Sequence, residues 1–348
     1  MRSTQRGQVT GNTCGNKLAS AAPGAAPHGE SRRGYRQRPG GVFLGMPPGP
    51  STADHRRPLV VIASGRTDVG RVRSLNEDAY LVAALGDDGT VLKGATESLT
   101  IAHTPAFLVV ADGVGGAASG EIASLMATDT SLIELRRRYE HEWATGNRGI
   151  EQALRGAMAA ANRVIFTYAR GHPQHRGMAT TQTLAVVQDD VIHVAQIGDS
   201  RAYLVRDGKA RQITKDQSLV QRLVDAGELT EQEALVSDRR NIILQALGSE
   251  STVAPDVYHE SAEAGDVLIL CSDGLSNHVT PHDIARIALA DDDMGAVCDR
   301  LVACANMRGG YDNITVVAAR FVRDPSDGVA TPASISPATA GRGRRWRR

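Results

Sequence analysis

Short apolar runs alternate with polar, turn-forming segments through the middle of the chain. Strand-like runs are Ala79–Ala84, Phe107–Ala111, Thr183–Val187, Val191–Ile197, Ala202–Val205, Val267–Cys271 and Ile314–Phe321. Each is four to eight residues long, which reads as strand rather than helix. Two junctions carry hairpin signals, Asp189-Asp190 and Asp207-Gly208, so the sheet is expected to be largely antiparallel. Helical spacing appears over Gly120–Tyr139, with Ile122, Leu125, Met126, Leu132, Ile133 and Leu135 as its stripe. It appears again over Ile150–Arg170, and two shorter helices are expected near Pro281–Ala290 and Gly295–Ala305. Antiparallel strands interleaved with helix pairs predict an α+β domain with sheets inside and helices outside.

Composition sets the limits. The chain has 348 residues, 41% hydrophobic, enough for a substantial core and too apolar for a wholly disordered protein. The longest apolar runs, Phe107–Ala111 and Val267–Cys271, fall far short of the roughly 20 residues of a bilayer-spanning helix. The opening Met1-Arg2-Ser3-Thr4-Gln5 lacks the apolar stretch of a secretory signal. Cys14, Cys271, Cys298 and Cys304 form no C-x-x-C pair, so reduced thiols in a cytoplasmic protein are expected.

The balance of 39 basic and 39 acidic residues is uneven along the chain. Residues 1–57 hold nine Lys/Arg against two acids, with ten Gly and six Pro, and read as a disordered basic segment. Residues 323–348 hold six Arg against two Asp and read as a disordered Arg-rich tail. Residues 58–322, the expected folded domain, keep 24 basic and 35 acidic residues. Such an acidic middle suits cations and disfavours nucleic acid.

Five acids sit at strand boundaries. Asp112, Asp199 and Asp273 follow apolar runs, whereas Asp78 and Asp312 precede them. In an antiparallel sheet those positions share one edge. A single Asp there is usually a turn residue, but a crowd of carboxylates raises its own pKa values and calls for neutralising cations. Oxygen-only donors favour Mg²⁺ or Mn²⁺ over Zn²⁺. Arg73, five residues before Asp78, adds a guanidinium that fits phosphate oxygens. Carboxylate-bound metals beside an Arg are the parts of a phosphoryl-transfer site. The histidines share no spacing, and His193, inside a strand, reads as a core or face residue rather than a ligand.

Eight runs in order resemble the metal-dependent Ser/Thr protein phosphatases of the type 2C (PPM) family in their bacterial form. They are Asp68-Val-Gly-Arg-Val-Arg73-Ser-Leu-Asn-Glu77-Asp78, Val110-Ala-Asp112-Gly113-Val-Gly-Gly116, Met178-Ala-Thr180-Thr181, Ile197-Gly-Asp199-Ser-Arg-Ala-Tyr203, Ile213-Thr-Lys-Asp216-Gln-Ser-Leu-Val220, Asn241-Ile-Ile-Leu-Gln-Ala-Leu-Gly248, Leu270-Cys-Ser-Asp273-Gly274-Leu and Asp312-Asn313-Ile-Thr-Val-Val317. The resemblance implies a four-layer α-β-β-α fold, a central antiparallel β-sandwich flanked by helix pairs. It implies Mg²⁺ or Mn²⁺ as cofactor, two ions in the catalytic centre and a third beside them. Asp112 would bridge two ions, the Gly113 carbonyl would bind one, and Asp273 and Asp312 the other. Asp199 with Asp273 would form the third site. Glu77 and Asp78 would hold metal-bound waters, and Arg73 the substrate phosphate. The implied reaction is hydrolysis of phosphoserine or phosphothreonine by in-line attack of a metal-bridging hydroxide, without a phosphoenzyme. The implied partners are phosphorylated proteins and an opposing bacterial Ser/Thr kinase, with the chain acting as a monomer. Residues from about Arg206 to Asn241 would form a flap beside the site.

Three departures from the family pattern stand out. Val114 replaces a His of eukaryotic members, Ala179 replaces a Gly, and Gly86–Thr104 reads as an insertion. Two other functions fit parts of the pattern: a non-catalytic phosphoprotein-binding module, and a small-molecule phosphoesterase. The intact acid set opposes the first, and the long flap opposes the second.

Overall fold

The computed structural model describes residues 58–86, 91–93, 97–114, 119–143 and 146–324. The expected terminal segment 1–57, residues 325–348 of the expected Arg-rich tail 323–348, Gly115-Gly116 and parts of the 86–104 insertion lie outside the described residues, whereas Arg323, placed in that tail, ends the last strand.

Two antiparallel sheets face one another. One runs in the order β10 (Lys209–Gln212), β9 (Arg201–Arg206), β12 (Val267–Cys271), β13 (Ile314–Arg323), β1 (Leu59–Asp68) and β4 (Leu99–Ile101). The other runs β11 (Asp256–Ser261), β8 (Val191–Ile197), β7 (Gln182–Gln188), β5 (Ala106–Val114), β2 (Asp78–Ala84) and β3 (Val91–Leu92), with β6 (Ala179–Thr180) pairing to β5. Helices α1 (Ser119–Glu142) and α2 (Asn147–Gly171) cover the second sheet, while α6 (Pro281–Ala288) and α7 (Met294–Met307) cover the first. The architecture is the expected four-layer α-β-β-α sandwich.

Alternation along the central strands explains their unbroken apolar sequence. In β5, Leu108 and Val110 join the core between the sheets, and Phe107, Val109 and Ala111 join the core under α1 and α2. In β13, Val317, Ala319 and Phe321 point to the inter-sheet core, and Ile314, Val316 and Ala318 to α6 and α7. A strand buried on both faces needs hydrophobic residues at both parities.

Strands covered on one face or set at an edge were harder to read. β1 escapes its sequence because Ser64-Gly65-Arg66-Thr67 breaks the apolar run. The Tyr80 ring fills the space a side chain at Gly65 would need, and the Tyr80 hydroxyl donates to the Gly65 carbonyl at 2.9 Å. β11 is an edge strand of half-buried and exposed residues. The described parts of the 86–104 insertion supply β3 and β4, an edge strand to each sheet.

Helix α1 corrects its expected stripe. Leu132 and Leu135 are buried as expected, but Leu125 and Ile133 face solvent, and Ala123 and Ala127 are buried instead. Small residues let α1 lie close to its sheet. The buried hydroxyls of Ser124 and Thr128 donate to the Glu121 and Leu125 carbonyls, and Ser131 donates to Gln182 Oε1. Both hairpin signals hold: Asp189, Asp190, Asp207 and Gly208 all adopt positive φ, as a type I′ turn requires. Ala179 lies in β6 paired with Val114, so the backbone freedom of a Gly is not used there.

His193 on β8 is fully buried opposite His259 of β11, with Nδ1 atoms 2.9 Å apart. Burial, and then the charge of His259, pushes the His193 pKa down to about 4. The unfolded chain therefore takes up this proton first as pH falls. The stability it contributes is present above pH 6.5 and is lost between 6.5 and 4. From pH 7 to pH 5 the loss is expected to be about 2 kcal/mol. His193→Phe should flatten that limb in urea titrations at the two pH values; an unchanged slope would refute the assignment.

Candidate active site

Register carries the acids to one end of the sandwich. Asp78 at the start of β2 pairs directly with Asp112 near the end of β5. Cys271, the last residue of β12, pairs with Val316 of β13. Asp273, two residues on and the first residue of the short helix α5 (Asp273–Ser276), and Asp312, two residues before β13, therefore emerge at the same end. Asp199 follows Ile197, which pairs with Gln182 at the same end of β8.

Electrostatics shows the convergence. Burial raises the Asp112 carboxyl well above its ordinary range, and Asp78, Asp273, Asp199 and Asp312 raise it further. Asp78 is pushed up to about 7 by burial, against hydrogen bonds from Thr315 and Ser272, with Asp273 and Asp312 adding to the rise. Asp199 is pushed to about 7 by burial, Asp273 and Asp216. Asp273 is raised by burial and by Asp312, and its carboxyl lies in hydrogen-bond contact with that of Asp112. Arg73 donates to Asp312 Oδ2 at 2.8 Å, and its own pKa is raised by Asp312, Glu77 and Asp112. All the sequence-predicted site side chains thus lie within one electrostatic cluster.

Among the described residues, three carboxylates have a buried oxygen without a hydrogen-bond partner: Glu77 Oε1, Asp78 Oδ1 and Asp273 Oδ1. All three belong to this cluster. Buried anionic oxygens without donors are costly, and hard divalent cations are the partners that match them. The donor set therefore fits Mg²⁺ or Mn²⁺. No three His, Cys, Asp or Glu side chains among the described residues already enclose an ion-sized point. Asp312 leans to Arg73, and Asp112 leans to Asp273.

Several residues that hold these acids were present in the sequence motifs but had no expected role. Ser272 Oγ donates to Asp78 Oδ2 at 2.7 Å and accepts from Thr315 N. Thr181 Oγ1 accepts from Asp112 N, while Thr181 N and Thr180 Oγ1 donate to Asp112 O. Asn277 donates to Asp273 Oδ2. Asn313 accepts from Glu77 N and donates to the Val69 and Leu75 carbonyls, which ties down both ends of the Arg73 loop. Two glycines permit close approaches. A Cβ at Gly274 would sit 1.9 Å from the Asn313 carbonyl, and one at Gly70 (φ +82°) 2.2 Å from the Asp312 carbonyl. Gly113, the expected carbonyl ligand, donates its N–H to the Glu77 carbonyl and packs against Gly120. Val114 is exposed at the end of β5.

A cavity of about 850 Å³ with a mixed polar and apolar lining lies beside the cluster, between Lys215–Ser218 and Ile243–Asp256. It abuts the Asp199 turn, where Gln217 N donates to the Gly198 carbonyl. The expected flap contains β10, α3 (Leu219–Asp225) and α4 (Glu231–Val236), the last opened by a Thr230/Glu233 capping box.

The protein phosphatase 2C family model matches residues 87–299. The chain belongs to this family. The match spans Asp112, Asp199 and Asp273 and stops short of Arg73, Glu77, Asp78 and Asp312, whose placement rests on the geometry above. The serine/threonine phosphatase stp of Listeria monocytogenes is 34% identical over 255 residues, covering 73% of this chain and 94% of the relative. The crystal structure of the Mycobacterium tuberculosis serine/threonine phosphatase PstP/Ppp superposes with a TM-score of 0.62 at 34% identity, over 76% of this chain and 100% of that one. A structure of the PstP catalytic domain in complex with two manganese ions gives a TM-score of 0.60, also at 34% identity, over 76% of this chain and 99% of that one. Family members of this kind are hydrolases of phosphorylated Ser and Thr, so this chain is read as an enzyme of that class.

Proposed function

We propose that this chain is a metal-dependent protein phosphatase that hydrolyses phosphoserine and phosphothreonine. The observation that carries the reading is the set of three orphaned carboxylate oxygens in the same electrostatic cluster as one half-exposed guanidinium. The acids would hold Mg²⁺ or Mn²⁺, with Asp112, the Gly113 carbonyl, Asp273 and Asp312 as ligands of two ions and Asp199 with Asp273 for a third. Bound divalent cations supply charge neutralisation for the phosphate and an acidified water as nucleophile.

The chain's own groups do the rest. Arg73 orients the phosphoryl group. Its ion pair with Asp312 is half exposed, so it is worth at most about 1 kcal/mol and yields readily to a phosphate. Glu77 and Asp78, whose unpartnered oxygens are buried, would accept hydrogen bonds from water bound at the ions. Ser272, held by Thr315, fixes the Asp78 carboxylate, and Asn313 fixes the loop that carries Arg73.

The substrates would be phosphorylated proteins, with an opposing Ser/Thr kinase as partner and the monomer as the working unit. Residues 58–322 would be the phosphatase domain between the two basic terminal segments. The buried free thiols of Cys271, Cys298 and Cys304 support a cytoplasmic setting. No helix among the described residues is long and apolar enough to cross a membrane.

Phosphate release from a phosphothreonine peptide with Mn²⁺ tests the reading. Turnover should vanish with a chelator and return with excess Mn²⁺. Release that persists through chelation would overturn it, and so would peptide and Mn²⁺ binding without release.

A further inference from the structure

Two turns beside Arg73 and Asp312 present large apolar side chains to solvent. Val72 is 63% exposed and Leu75 48%, both on the Arg73 loop. Tyr311 is 65% exposed on the turn that leads into Asp312, and Met307, 80% exposed, ends α7 just before that turn. Isolated exposed apolar residues are ordinary on any surface. These four differ because their turns are bonded together. Arg71 N donates to the Gly310 carbonyl at 2.7 Å, and Asn306 Nδ2 donates to Asp68 Oδ1 at 3.0 Å. Asn313 holds the Val69 and Leu75 carbonyls from the other side.

Tyr311 is itself braced. Gly309 (φ +129°) lies under its ring, where a Cβ would come within 2.5 Å, and the His278 ring lies 5.5 Å from it. One face of the ring is thus packed and the residue remains mostly exposed. Val72 adjoins Arg73 in sequence, and Tyr311 adjoins Asp312. An apolar ledge with a fixed backbone therefore borders the group proposed to orient the phosphate.

We propose that this ledge selects substrates, taking an aliphatic or aromatic side chain that flanks the phosphorylated Ser or Thr. The inference rests on the phosphatase reading above and adds a sequence preference to it. With the phosphate at Arg73, residues one or two positions away along an extended peptide lie within about 7 Å. That is the reach of Val72 and, across the bonded turns, of Tyr311. Burying an apolar side chain against a ledge ordered in advance costs little further ordering, so the gain appears as affinity.

The test compares two phosphothreonine peptides that differ only in their flanking positions, Leu and Phe in one and Ser in the other. The full chain is assayed with Mn²⁺. Wild type should show a KM about tenfold lower for the apolar-flanked peptide. In the double variant Val72→Ser/Tyr311→Ser the ratio of the two KM values should fall towards one, with kcat for both peptides tracking each other. Equal KM values in wild type would overturn the ledge while leaving the phosphatase reading intact. So would a ratio that survives in the double variant, or one that collapses instead in Leu235→Ser/Val236→Ser on α4, whose side chains are also exposed. Absence of phosphate release from both peptides would overturn the phosphatase reading and the ledge with it.

Discussion

Asp112→Asn is expected to lower kcat for phosphopeptide hydrolysis by about 10³-fold or more, and at the same time to make the chelated protein melt higher than wild type. The two effects share a cause. Asp112 is buried among Asp78, Asp273, Asp199 and Asp312, and all of them raise its pKa. Such crowding is useful only with cations present. Without them the carboxylate is a buried charge among like charges, or a carboxyl that must keep its proton. Asn keeps the shape, and its amide can donate to Asp273, so the repulsion goes with the charge.

The sign follows from linkage. The folded-state pKa of Asp112 lies above its unfolded value. Its stabilising contribution is therefore complete below about pH 4 and is lost as pH rises towards the folded pKa. Wild type in chelator should therefore lose stability as pH rises from about 4 towards neutrality, and Asp112→Asn should lose less. His193 acts in the opposite direction between pH 6.5 and 4, but it is present in both proteins and cancels in their difference. A difference of about 2 kcal/mol would move Tm by roughly 4–8 °C for a domain of this size. Mn²⁺ at 100 times its Kd should restore about 2.7 kcal/mol to wild type and little to the variant. Calorimetry with and without Mn²⁺ reads all of this, and a variant that melts below wild type in chelator at pH 8.5 would refute the account.

Much of this arrangement is legible before any fold is known, for a specific reason. Central strands such as β5, β12 and β13 are buried on both faces, so their sequences are almost wholly apolar and their ends are marked by the first polar residue. That polar residue is Asp at β2 and β5, and Asp273 and Asp312 stand just beyond β12 and β13. The antiparallel hairpins, announced by Asp189-Asp190 and Asp207-Gly208, put those ends together. Strand β1 is illegible because what stabilises Gly65 there is the ring of Tyr80, which comes from another sheet. Leu125 and Ile133 mislead because helical spacing marks a stripe without saying how wide it is. The hydroxyls of Ser124, Thr128 and Ser131 are buried in their place. Ser272 and Asn313 take on roles only through cross-strand register, which no local pattern encodes. The turns that carry Val72 and Tyr311 are likewise joined by a backbone hydrogen bond between residues more than 200 apart, from Arg71 to Gly310.

Arg73 carries the second large expectation. Arg73→Ala should reduce kcat/KM for phosphopeptides by about 10²-fold, with Tm nearly unchanged. The stability side follows from exposure. Both partners of the Arg73–Asp312 pair are substantially exposed, and such pairs contribute at most about 1 kcal/mol. The activity side follows from position, since Arg73 is the cation whose pKa is raised jointly by Asp312, Glu77 and Asp112. A guanidinium there offers two parallel N–H groups to a phosphoryl group, and an ammonium offers a single point of charge. Arg73→Lys should therefore recover only part of the loss, with KM improved more than kcat. Asn313 sharpens the argument, because it fixes the loop backbone on both sides of Arg73 without touching the guanidinium. If Arg73→Ala lowered Tm by more than a few degrees and spared turnover, the residue would be a structural tether for Asp312. Full activity in Arg73→Lys would show that charge alone, without the planar fork, is what the phosphate requires.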